Sequence, residues 1–156
     1  HLQHASKALK EEDEFSKFTK IGRQLGYAVY MFYDSFAWAH STGVYKFNQI
    51  KKITTNAARF WLIGLSFSIL HGLYKLHQNR LKKDYFERAS KSKSIESNES
   101  SSAHSEVAVL RRQLIQDLLD LTIPTTSLEY IRLEDGIVGL AGFFSAIIGA
   151  KTQWEK

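Results

Sequence analysis

The 156 residues include no cysteine. Disulfide frameworks, thiolate metal sites and cysteine nucleophiles are excluded together. Proline occurs once, as Pro124, so strong helix breakers are nearly absent. Acidic residues are outnumbered, 16 against 21 Lys and Arg, which leaves a net charge of +5. That excess suits contact with anionic lipid or nucleic acid, and equally a plain solvated basic face. The short motifs that carry chemistry are missing: no glycine-rich phosphate loop, no G-x-S-x-G elbow, no H-E-x-x-H. His1 and His4 lie one turn apart with no further ligand in phase, so neither a metal site nor a cofactor is expected, and no catalytic residue stands out. The opening HLQHASKALKEEDEF has no apolar core after a basic start, unlike a secretory signal. Because it opens on His1, the sequence is expected to be a trimmed piece of a longer protein.

What is present is apolar and arranged in long runs. From Gln24 to Tyr45 the single charge is Asp34, among Tyr, Phe, Trp, Val and small residues. The pattern lacks strand alternation and predicts a long helix ending near Gly43. The acidic group Glu11–Glu14 before it suits the start of such a helix. A second run, ITTNAARFWLIGLSFSILHGLY, spans Ile53–Tyr74 with Arg59 as its sole charge. At 1.5 Å per residue it reaches about 33 Å, enough to cross a hydrocarbon core of about 30 Å. The basic residues that follow, Lys75, Arg80, Lys82 and Lys83 among them, have the form of a headgroup-facing collar. In such a setting Asp34, Arg59 and His71 are the ionisable side chains inside apolar helices, and Asp34 is expected to pair with Arg59 or a tyrosine hydroxyl.

Residues 89–106, ASKSKSIESNESSSAHSE, carry too little apolar surface to offset chain entropy and predict a flexible linker. Beyond it, VAVLRRQLIQDLLDLTI forms an amphipathic helix. Val107, Leu110, Leu114, Leu118 and Leu121 make its apolar stripe, and Arg111, Arg112, Gln113, Asp117 and Asp120 its polar side, expected as a surface ion network. Pro124 is expected to end it.

The last apolar run, Gly136–Ala150, has no charge and many small residues. Gly139, Gly142, Ser145, Ala146 and Gly149 fall at three- and four-residue steps, the spacing that lets helix backbones meet in lipid. In water each glycine costs a helix about 1 kcal/mol relative to alanine. Trp154 then resembles an interfacial anchor. The expected fold is all-α: one membrane-associated helical domain over 1–156, with 1–88 as a first half, 89–106 as the linker and 107–156 as the rest. It would hold about four to five helices, two or three of them strongly apolar.

As a whole the pattern resembles the peroxisomal membrane protein 11 (peroxin-11) family, in particular a fungal-type member lacking its amino-terminal part. Four stretches carry the likeness: YMFYDSFAWAH with Asp34 and Trp38, RFWLIGLSFSIL from Arg59, RRQLIQDLLDLTIPTTSLEY, and GIVGLAGFFSAIIGAKTQW. The resemblance implies a non-enzymatic protein of the peroxisomal membrane. Its expected role is peroxisome elongation, division and proliferation through membrane remodelling and self-assembly. Implied partners are the phospholipid membrane, further copies of the chain, and dynamin-type fission machinery. The alternative is a small-solute channel, with Asp34, Ser66, Ser68 and His71 as the available lining. A nucleic-acid partner is not expected, because the basic residues border apolar runs and do not line one helix face.

Overall fold

A computed structural model describes the backbone of residues 2–90 and 98–154 and the side chains of residues 14–81 and 107–154. The described residues form four helices and no strand: α1 (Leu2–Ser41), α2 (Ile50–Ser90), α3 (Asn98–Ser127) and α4 (Asp135–Trp154). The all-α expectation is met. Helix α1 runs without a break through the acidic residues expected to open a new helix. No proline or glycine falls between Leu2 and Ile21, and glutamate is itself a good helix former. Gly43 ends this helix, with φ of +79°, a backbone that costs glycine little. The Thr42, Gly43 and Tyr45 amides turn back to the carbonyls of Trp38, His40 and Ala39. His40 then accepts the Phe47 amide on Nδ1 at 2.9 Å, which folds the connection onto the helix it leaves.

Two expectations change. The stretch read as a linker is helical at both ends, since α2 continues to Ser90 and α3 begins at Asn98; residues 91–97 lie outside the described residues. Serine and alanine tolerate a helix once a neighbouring amphipathic run has nucleated it. Pro124 does not end α3 but sits inside it, fully buried, and the helix goes on to Ser127. The ring removes one backbone donor. Threonine hydroxyls crowd the same turn, Thr125 donating to Leu121 O at 2.6 Å and Thr126 to Thr122 O at 2.7 Å. The chain then reverses through Glu129, whose φ is +59°.

The helices pack in chain order. Backbones approach within 8 Å only between α1 and α2, α2 and α3, and α3 and α4 among the described residues. Neighbours are antiparallel. Glu14, Arg80, Val109 and Trp154 therefore share one end of the row, and the two turns, 42–49 and 128–134, share the other. The α1–α2 crossing is the tightest. A Cβ on Gly26 would lie 2.7 Å from Gly64 Cα, and one on Gly22 would lie 2.8 Å from the Phe67 ring. Rings close the hairpin along its length: Phe15 on Tyr74, Tyr30 on Trp61 and Tyr33 on Phe60, with centroids 4.6, 5.1 and 5.9 Å apart.

Candidate functional site: a polar seam between apolar helices

A soluble bundle hides large apolar side chains and shows polar ones to water. This molecule departs from that: its interior mixes Leu65, Leu114 and three alanines with polar side chains, and most of its large apolar groups lie outside. The buried set includes Ser16, Thr19, Ser68, Gln78, Asp117, Thr125 and Ser145. The large side chains left outside include Phe18, Leu25, Phe32 and Trp38 on α1, Leu70 and Leu73 on α2, Ile115 and Leu118 on α3, and Leu140, Phe143 and Ile147 on α4. An isolated polar group in an apolar setting is costly unless bonded. Thr19, Ser68, Asp117 and Ser145 are bonded from helix to helix, and Thr125 bonds back within its own helix.

From one end of the row, Thr19 on α1 meets His71 Nδ1 on α2 at 3.0 Å. Ser68 on α2 donates to Asp117 Oδ2 on α3 at 2.5 Å, and Gln113 Nε2 donates to the other oxygen at 2.9 Å. Asp117 is 1% exposed. Asp120, one turn on, is half-buried and hydrogen-bonded to Ser145 of α4. On the α1 side Arg23 lies over the Tyr27 ring, 5.6 Å from its centroid, and Tyr27 feels both aspartates. Every interhelical boundary thus has a polar join, that of α1 and α2 lying nearer the Glu14 end. Among the described residues Gln78 alone leaves a buried polar atom, its amide nitrogen, without a partner.

This overturns the expected orientation of α3. Asp117 and Asp120 were assigned to a surface ion network with Arg111 and Arg112, yet they face inward, while Leu118 of the apolar stripe is 54% exposed. The helix is amphipathic as expected and Leu114 of the stripe is buried, but Asp117 packs beside it while Leu118 and Arg111 face outward. The pairing expected between Asp34 and Arg59 is not formed: both lie exposed, with no ion pair between them. Asp34 does act electrostatically on Tyr30, one turn earlier. His71 is half-buried and bonded to Thr19.

Of the five small residues singled out on α4, three touch α3. Ser145 is buried, a Cβ on Gly142 would meet Ile123, and one on Gly149 would meet Gln116 at 3.1 Å. Gly139 and Ala146 are exposed, and nothing lies within 4 Å of a Cβ built on Gly139. Ala141, buried one turn before Ser145, was not foreseen. Among the basic group, Lys75 is half-buried and Arg80 exposed, at the same end of the row as Trp154, itself 93% exposed. The side chains of Lys82 and Lys83 lie outside the described residues.

The crossing glycines were also missed, although their spacing was available. Gly22 and Gly26 on α1, and Gly64, Ser68 and Gly72 on α2, each step by four. That is the small-x-x-x-small pattern of close helix contact in lipid. Two helices, Ile50–Leu81 within α2 and Asp135–Trp154, are long and apolar enough to cross a membrane. Among the described residues no group of three or more His, Asp or Glu could hold a metal.

Residues 1–154 match the family model described as peroxisomal biogenesis factor 11 (PEX11). Among curated proteins, the chain is 27% identical over 179 residues to peroxisomal membrane protein PMP30B of Candida boidinii, covering 99% of this chain and 68% of that one. Peroxisomal membrane protein PMP30A of the same organism is 27% identical over 175 residues, with the same coverage. Peroxisomal biogenesis factor 11 of Schizosaccharomyces pombe is 28% identical over 142 residues, 88% of this chain and 56% of that protein. No solved structure matches the chain.

Proposed function

The chain belongs to the peroxisomal biogenesis factor 11 family, and on that premise we propose that it elongates and divides peroxisomes by remodelling their membrane and assembling with copies of itself. It is a protein of the peroxisomal membrane involved in peroxisome biogenesis. Its role is mechanical, without a reaction of its own, and it brings dynamin-type fission machinery to the membrane it shapes.

The observation that supports this reading is the partition of side chains. Polar groups join the helices from within, and Phe, Leu, Ile and Trp face outward on all four. Such a surface is stable against acyl chains or against other copies, and unstable against water. In lipid the hydrophobic drive between helices vanishes, and packing of small residues and interhelical hydrogen bonds take over. The Gly26–Gly64 crossing and the Ser68–Asp117 bond are of those two kinds.

The channel reading draws less from the structure. Ser66 is exposed and bonds back to Leu62 O, Ser68 is buried against Asp117, His71 bonds Thr19, and Asp34 is exposed on α1. These four line no common path within one copy.

The test is organelle form. Deleting the full-length protein in its own cells is expected to give fewer, larger peroxisomes, and excess protein to give elongated ones. The chain stays with the pellet on alkaline carbonate extraction. Unchanged peroxisome number and length in both arms would overturn the proposal.

A further inference from the structure

On α2, α3 and α4 the charges that face outward fall on two levels of the row a short distance apart, while on α1 Lys20 and Arg23 stand beside His71, between those levels. On α2 the uncharged stretch runs from Phe60 to Tyr74, between Arg59 and Lys75; on α4 it runs from Gly136 to Ala150, between Asp135 and Lys151. Both stretches have 15 residues, about 22 Å of helix. On α3 the only charges between Arg112 and Glu129 are Asp117 and Asp120, and Asp117 is buried at the seam while Asp120 bonds Ser145. On α1 the uncharged stretch is shorter still, 24–33, between Arg23 and Asp34.

The packing aligns these limits on α2, α3 and α4, and on α1 the one at Asp34; Arg23 lies level with Phe67, inside the span. Tyr33 stacks on Phe60, which sets Asp34 at the level of Arg59. A Cβ on Gly72 would touch Leu114 and one on Gly149 would touch Gln116. Those contacts bring Lys75, Arg112 and Lys151 to one level. The exposed apolar side chains lie largely between the two levels and form one belt around the row.

An ordinary hydrocarbon core is about 30 Å thick, so the belt falls short by roughly a quarter. At the level of Lys75 and Lys151, long stems let the ammonium groups snorkel to the headgroups. At the other level Arg59 can do the same, but Asp34 and Asp135 are too short. We infer that the lateral surface of this chain fits a bilayer of short acyl chains, and that a bilayer of ordinary thickness thins around it. The inference rests on the membrane reading above and gives it a cause: a collar of thinned lipid is relieved when copies share it, which favours assembly.

The probe is lipid choice. The chain is reconstituted in dimyristoleoyl-, dioleoyl- and dierucoyl-phosphatidylcholine vesicles, each with a brominated counterpart that quenches the fluorescence of Trp38, Trp61 and Trp154. The short-chain lipid is expected to bind better than the dioleoyl lipid by roughly fivefold, and the dierucoyl lipid worst. Lengthening the belt with Lys75→Leu and Lys151→Leu moves the optimum toward the dioleoyl lipid. An optimum at dioleoyl or longer, or equal binding of all three by the unaltered chain, overturns the inference even if the double variant fails to fold. Tryptophans unquenched in every lipid, with release of the protein by carbonate, would instead sink the membrane reading itself.

Discussion

Adding one methyl group at Gly26 tests the packing logic most directly. The new Cβ would lie 2.7 Å from both Cα and N of Gly64 and 3.2 Å from Phe60 O. All three are backbone atoms, so no rotamer change relieves the clash, and α1 and α2 must part by several tenths of an ångström. The Tyr30–Trp61 and Tyr33–Phe60 stacks hang on that spacing. Overpacking of this kind costs about 1–3 kcal/mol. Replacing glycine in a helix interior returns about 1 kcal/mol. With a backbone obstacle the cost sits at the upper end, and Gly26→Ala is expected to lose about 1–2 kcal/mol net. Gly139→Ala is the matched control, because a Cβ there meets nothing within 4 Å. It should gain up to about 1 kcal/mol when the protein is monomeric in detergent. Gly72→Ala falls between, since its obstacle is the flexible end of Leu114. Unfolding by denaturing detergent titrated into mild micelles, followed by far-UV circular dichroism, ranks the three. A Gly26→Ala variant as stable as the parent would refute the argument that these helices meet backbone to backbone.

Removing the acceptor in Asp117→Ala strands the Ser68 hydroxyl and the Gln113 amide and should cost about 2–3 kcal/mol, with Asp117→Asn losing less, by the same titration. Thr19→Val deletes the bond to His71 and should cost about 1 kcal/mol. Asp34→Ala, at an exposed position with no ion pair to Arg59, should stay within about 0.5 kcal/mol of the parent; a larger loss would restore a packing role for this residue. Because the chain has no cysteine, Arg80→Cys and Gln153→Cys can be labelled cleanly in sealed organelles. Both are expected to react from one side of the membrane and Thr42→Cys from the other; labelling of all three from one side would contradict a crossing row.

Helix content was legible because it depends on local terms: few breakers, long apolar runs and glycine at a turn. The orientation of α3 was not. A period of 3.6 residues says that a helix has two faces, not which one the solvent prefers. Placing Asp117 outside and Leu118 inside assumed water on the far side; between apolar neighbours the aspartate is stable only where Ser68 and Gln113 reach it. Pro124 misled for a separate reason: a proline removes one backbone donor without obliging the helix to stop, and α3 runs on to Ser127. The Asp34–Arg59 pair failed because closeness in level does not bring two exposed side chains round to one side. Within the seam, the small-residue steps of α1 and α2 were readable by the rule applied to α4. Which partner each step meets depends on crossings that no single helix encodes.

The order of the row also bears on how the protein is made. Among the described residues each helix packs its backbone only on the one before and the one after it in the chain, so the backbone packing of α1 is available once α2 has left the ribosome at Ser90. Nothing in the first hairpin waits for the last helix. Short-range topology of this sort folds early and leaves few unsatisfied surfaces exposed during synthesis. Pairs of helices can therefore enter the bilayer as finished hairpins.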